Sequence, residues 1–131
     1  MKIHLDTSDG RHVIRTYEPG RILIGTASYE RSLILTPDRI IDDWRPQHFG
    51  ELDAQALEEL LGLQAEVVLL GTGSKLRFLG SAQPASPTHL PVAIECMDTG
   101  AACRTYNLLL SEGRPVAVGL LIADPPPAST G

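Results

Sequence analysis

Two short stretches carry residues whose types and spacing could do chemistry. Gly71-Thr72-Gly73-Ser74-Lys75 directly follows an apolar run, and a glycine-rich turn in that place can aim backbone N–H groups at an anion. A Walker loop would need Gly-x-x-x-x-Gly-Lys, and the dinucleotide fingerprint would need glycine where Leu76 stands, with a helix following. The same glycines would equally serve a tight turn that demands positive φ. The second stretch is MDTGAACRTYN, Met97 to Asn107. Asp98 or Thr99 can cap a helix there by accepting hydrogen bonds from its free N–H groups.

With residues placed roughly 100° apart, Thr99, Ala102, Cys103, Tyr106, Leu109 and Leu110 fall on one stripe, the core face of that helix. Arg104 falls nearly opposite, with Ser111 and Glu112, and Asn107 sits on the flank. A nucleophilic thiol needs exposure and a lowered pKa. Cys103 lies on the apolar stripe, beyond the first turn where the helix dipole is strongest, so it reads as a buried structural cysteine. Arg104 is either a solvated charge or a holder of carboxylate or phosphate. If the strands ending at Leu70 and Cys96 are neighbours, the Gly71 turn and the Asp98 helix start flank one crevice at the carboxyl ends of the strands, where ligands favour binding. The candidate ligand site is therefore Gly71, Thr72, Gly73 and Ser74 with Asp98 and Thr99, Arg104 on its rim and Asn107 beside it. Its ligand would be a small anion or a nucleotide.

The remaining reactive residues point nowhere together. His4, His12, His48 and His89 lie far apart, and Cys96 and Cys103 lack the paired spacing of zinc sites. No metal, no cofactor and no catalytic residue is expected. Asp42 and Asp43 are adjacent on a strand in this reading, so their side chains face opposite ways and mark a solvated strand end. Trp44, the only tryptophan, is expected to pack in the core or at its edge.

The elements that would position these residues alternate between β and α periods. His12 to Glu18 alternates, with Val13, Arg15 and Tyr17 on one side and Ile14, Thr16 and Glu18 on the other, up to the turn at Pro19-Gly20. Arg21 to Gly25 returns as a hairpin partner. Tyr29 to Thr36 reads as a third strand, stopped by Pro37-Asp38, and Arg39 to Trp44 as a fourth. Asp53 caps a helix, with Leu52 and Leu57 as a staple and Leu57, Leu60 and Leu61 as its apolar face. Gly62 ends that helix at a position suited to a left-handed backbone. Val67 to Leu70 suits a central strand covered on both faces. Ser81 to Pro91 carries three prolines, which disfavour a long helix. Val92 to Cys96 is a strand, Thr99 to Glu112 a helix closed by Gly113, and Val116 to Ile122 a last strand. The β-α-β order in this half calls for parallel pairs with helices against the sheet.

Length and composition set the frame. The chain has 131 residues, 43% apolar and 21% charged, which suits one globular domain at residues 1–123 followed by a Pro-rich, disordered tail at 124–131. The formal charge is -5, from 16 acidic and 11 basic side chains, with no basic stripe, so nucleic acid is not an expected partner. The longest apolar run, Val116 to Ala123, is too short to span a bilayer, and a cytoplasmic location is expected.

YERSLILTPDRI (Tyr29 to Ile40), VVLLGTGSKLRFL (Val67 to Leu79) and MDTGAACRTYN, in that order, resemble the Mth nine-three-eight-like domain family of unknown function, which includes a mitochondrial complex I assembly factor. The resemblance runs from about His12 to Leu121. It implies a layered α/β fold with a mixed central sheet, flanking helices and an additional N-terminal β layer. It brings no catalytic residue or cofactor to these positions. The expected function is a non-enzymatic interaction or assembly protein with a protein partner. The rival is a small-anion or nucleotide-binding domain, either a simple binder or a cryptic enzyme.

Overall fold

The structure is a computed structural model that describes residues 11–79 and 93–123. The proline-rich Ser81 to Pro91 stretch, Val92 and the tail at 124–131 lie outside the described residues. Five strands form a mixed central sheet: β4 (Leu33–Thr36), β5 (Arg39–Ile41), β6 (Val67–Gly71), β7 (Ile94–Met97) and β8 (Val116–Leu120), in the order β5-β4-β8-β6-β7. β4 is antiparallel to β5 and β8, while β6 runs parallel to both β8 and β7. The β-α-β order called for parallel pairs, and two are present, although β7 and β8, the two strands of that unit, do not pair with each other because β6 lies between them. β1 (Ile14–Glu18), β2 (Arg21–Ile24) and β3 (Ala27–Tyr29) form a separate antiparallel sheet, the additional β layer. One layered α/β domain results, as expected.

Alternation along the central strands sends side chains into two cores. Leu33, Leu35, Leu69, Val116, Val118 and Leu120 meet helix α2 (Thr99–Ser111) and Ile14, Ile22 and Ile24 of the outer sheet on one face. Ile34, Val68, Leu70, Ala117 and Leu121 meet helix α1 (Ala54–Leu61) and Trp44 on the other. At eight residues α1 is too short to persist alone. Its stability comes from burying Leu57, Leu60 and Leu61, each contributing about 1.5–3 kcal/mol, and from Asp53, whose carboxylate accepts from the Ala56 N–H at 2.9 Å. Trp44 is 2% exposed, donates from Nε1 to the Ala56 carbonyl and lies against Gly119, where an added Cβ would sit 2.7 Å from the ring.

Several boundaries depart from the sequence reading for physical reasons. Tyr29 to Thr36 is not one strand. The chain leaves the outer sheet after Tyr29 and enters the central sheet at Leu33, and buried Ser32 anchors the crossing by donating from its hydroxyl to the Pro46 carbonyl and from its N–H to Gln47 Oε1. The β5 strand ends at Ile41, so Asp42 and Asp43 are exposed turn residues and not strand neighbours. Val13, Arg15 and Tyr17 do not share a face as alternation implied. The β1–β2 register shifts between Ile14 and Thr16, pairing Ile14 with Ile24 and Tyr17 with Ile22. That bulge turns both Ile14 and Tyr17 towards the core. Gly62 has φ -77 rather than a left-handed backbone, and the positive φ falls on Gln64 at 61. Gly113 does close α2 with φ 73.

Candidate functional site

The parallel strands β6 and β7 are neighbours, so the Gly71 turn and the start of α2 do meet at the carboxyl end of the sheet. They meet in direct contact. An added Cβ on Gly71 would stand 2.9 Å from the Thr99 Cα and 3.1 Å from a Leu120 methyl, so only glycine lets α2 approach this closely. Thr99 is fully buried. Its hydroxyl accepts from the Gly73 N–H at 2.8 Å and donates to the Leu121 carbonyl at 2.8 Å, while its own N–H donates to the Gly73 carbonyl at 2.8 Å. Thr72 donates from its N–H to the Met97 carbonyl at 2.9 Å and from its hydroxyl to the Lys75 carbonyl at 2.6 Å. The N–H groups of Thr72 and Gly73 are thus bonded within the fold, and an anion would have to displace those partners to reach them.

Asp98, rather than Thr99, caps α2, its Oδ1 accepting from the Ala101 N–H at 2.9 Å. Arg104 and Asn107 are not on the same opening as Ser74. They line a small cleft of about 160 Å³ between α2 and β1, together with Tyr17 and Gly100. There Asn107 is engaged at both ends of its amide: Oδ1 accepts from the Ile14 N–H at 3.0 Å and Nδ2 donates to the Ile14 carbonyl at 2.7 Å. It bonds the edge of β1 as a neighbouring strand would, closing an edge that would otherwise be open to other chains. Tyr106 extends the seam by donating its hydroxyl to the His12 carbonyl at 2.7 Å. Burial pushes the Tyr106 phenol up.

Cys103 is buried, and desolvation raises its thiol to about 12, with Arg104 opposing and Asp98 adding to the rise. It stays protonated at neutral pH and is a poor nucleophile. Desolvation also raises Cys96, against a backbone hydrogen bond from Leu79. Among the described residues, no group of three or more histidine, cysteine, aspartate and glutamate side chains could hold a metal ion.

A second opening lies outside the buried junction. Thr72, Gly73, Ser74, Lys75 and Arg77 form one wall of a cleft of about 340 Å³, and His48, Phe49 and Gly50 form the other. The Arg77 guanidinium lies 5.8 Å from the centre of the Phe49 ring, a cation–π contact across the cleft. Lys75, Arg77 and the 48–50 wall were not singled out from sequence. Lys75 lies within the GTGSK stretch and was visible there, but the 48–50 wall is distant in sequence and gave no signal.

These features define a layered α/β domain with a glycine turn locked onto a helix start and a basic cleft beside it. The chain belongs to the family described as protein of unknown function (DUF498/DUF598), whose model matches residues 14–121. A Bordetella pertussis structure described as an Mth938-like domain, the family suggested by the motifs, is 29% identical with TM-score 0.78, covering 95% of this chain and 94% of that one. A Bordetella parapertussis crystal structure is 33% identical with TM-score 0.79, covering 86% and 97%. Among curated proteins, the chain is similar to the Danio rerio protein named NADH dehydrogenase (ubiquinone) 1 alpha subcomplex assembly factor 3. Identity is 32% over 121 residues, which is 90% of this chain and 67% of the relative. The match to the Homo sapiens protein of the same name spans 41% of its length.

Proposed function

We propose that this chain is a non-enzymatic interaction protein that helps assemble a membrane or respiratory complex, acting from the cytoplasm through a protein partner. The observation that carries this reading is the likeness, along 90% of the chain, to a protein named as a complex I assembly factor. No described helix is long and apolar enough to cross a membrane. Affinity capture from detergent-solubilised membranes, with native gels of the respiratory complexes before and after loss of the chain, tests it. Recovered complex subunits and accumulated subassemblies are the expected result. Repeated capture without a partner and unchanged gels would overturn it.

The cleft beside Ser74 favours a second reading, in which Lys75, Arg77 and His48 receive a small anion or nucleotide phosphate. Such a ligand at a hundred times its dissociation constant would stabilise the fold by about 2.7 kcal/mol. A thermal-shift panel of organic anions and nucleotides reads that directly, and no shift across the panel removes this reading.

A further inference from the structure

The Lys75–Phe78 loop alternates basic and apolar side chains, and the apolar ones are not buried. Leu76 is 49% exposed and Phe78 is 73% exposed. Single exposed apolar residues are ordinary, but two within three positions beside a cleft mark a surface with something to cover. The loop is also held in place. Thr72 receives the Arg77 N–H on its hydroxyl oxygen at 3.1 Å and donates to the Lys75 carbonyl, and Arg77 spans the cleft to Phe49. A pre-ordered loop loses little freedom on binding.

The charge is local as well. The chain carries 16 acidic against 11 basic side chains, yet no aspartate or glutamate is among the described residues lining this cleft. Glu51, next to its wall, accepts the Gln47 N–H at 2.7 Å. Among the described residues, neither Lys75 nor Arg77 has an ion-pair partner. A basic island on an acidic protein selects for carboxylates and repels basic chains. Phosphate alone would satisfy the charges and leave Leu76 and Phe78 in water. A segment bearing both carboxylates and aliphatic side chains covers both.

We infer that this cleft docks an acidic, aliphatic segment of the partner protein, with carboxylates on Lys75 and Arg77 and aliphatic side chains on Leu76 and Phe78. The inference rests on the interaction-protein reading and adds the surface and its chemistry. The test uses the full chain and a short labelled peptide alternating Glu and Leu, with an alternating Lys and Leu peptide and inorganic phosphate as comparators. Fluorescence anisotropy and amide spectra are the readouts. Binding of the acidic peptide, with shifts at His48–Gly50 and Gly73–Leu79, is expected. Affinity should fall about tenfold or more for Lys75→Glu with Arg77→Glu. Phe78→Ser should also weaken it, whereas Arg114→Glu should not. Equal affinity for the Lys-Leu peptide, or an unchanged affinity in the double variant, overturns the inference. So does full competition by phosphate with no effect of Phe78→Ser, which would make this a small-anion site. Capture from solubilised membranes separates the two levels. A partner retained equally by wild type and the double variant rejects this surface and keeps the interaction reading. No partner for wild type, with the peptide still binding the cleft, rejects the assembly reading and keeps the surface.

Discussion

At Gly71 an added Cβ would collide with the helix behind it, and both polar groups of the Gly73 backbone are bonded to Thr99. A few residues on, Phe78 is 73% exposed and Lys75 and Arg77 line an open cleft. The polar groups that look most like a ligand cradle are those the fold consumes, while the groups free to meet another molecule sit just beyond the motif. Glycines and a threonine at the end of a parallel strand are therefore a device for docking a helix here.

The sharpest way to break this contrast is Gly71→Val. Its side chain would meet the Thr99 backbone at a Cβ distance of 2.9 Å, and overpacking combined with loss of the Thr99 hydrogen bonds should cost about 4 kcal/mol or more. Urea unfolding measures it, and a loss under about 1 kcal/mol would show that α2 can move away without consequence. Thr99→Val keeps the shape but leaves the Gly73 N–H and the Leu121 carbonyl unpaired, for a loss of about 2–4 kcal/mol. Asn107→Ala should remove about 2 kcal/mol and speed hydrogen exchange at the Ile14 amide. An unchanged exchange rate would mean that the amide does not hold β1. At the other end of the scale, Lys75→Ser with Arg77→Ser should cost no more than about 1 kcal/mol, the most that an exposed cation–π contact with Phe49 contributes. A larger loss would place those side chains on the structural side of the comparison.

Much of this architecture was legible in the residues. The hairpin at Pro19-Gly20, the α1 cap at Asp53, the buried Cys103 and the closing Gly113 follow from local rules that the structure obeys. What could not be read depends on partners distant in sequence. Tyr29 to Thr36 holds no glycine or proline that would break a strand, and only the buried contacts of Ser32 with Pro46 and Gln47 show that the chain changes sheets there. A bulge at Arg15 leaves no residue-type signature, yet it reverses which side chains of β1 are buried. The crevice between the β6 turn and α2 followed from the strand order. That it is filled follows from Thr99 reaching Gly73 and Leu121, a geometry that capping preference alone does not supply. The wall at His48–Gly50 comes from a segment some 25 residues before the glycines, as the numbering of its lining residues shows.

The lone tryptophan offers one more use of the architecture. Trp44 lies on Gly119 and the Ala56 carbonyl, on the α1 side of the sheet only. Its fluorescence should therefore be blue-shifted in the native state and report the melting of that face. Exchange at the Ile14 amide reports the opposite face. Following both through one denaturant series would show whether the two layers come apart together or whether the outer sheet and α2 can loosen while the indole is still dry.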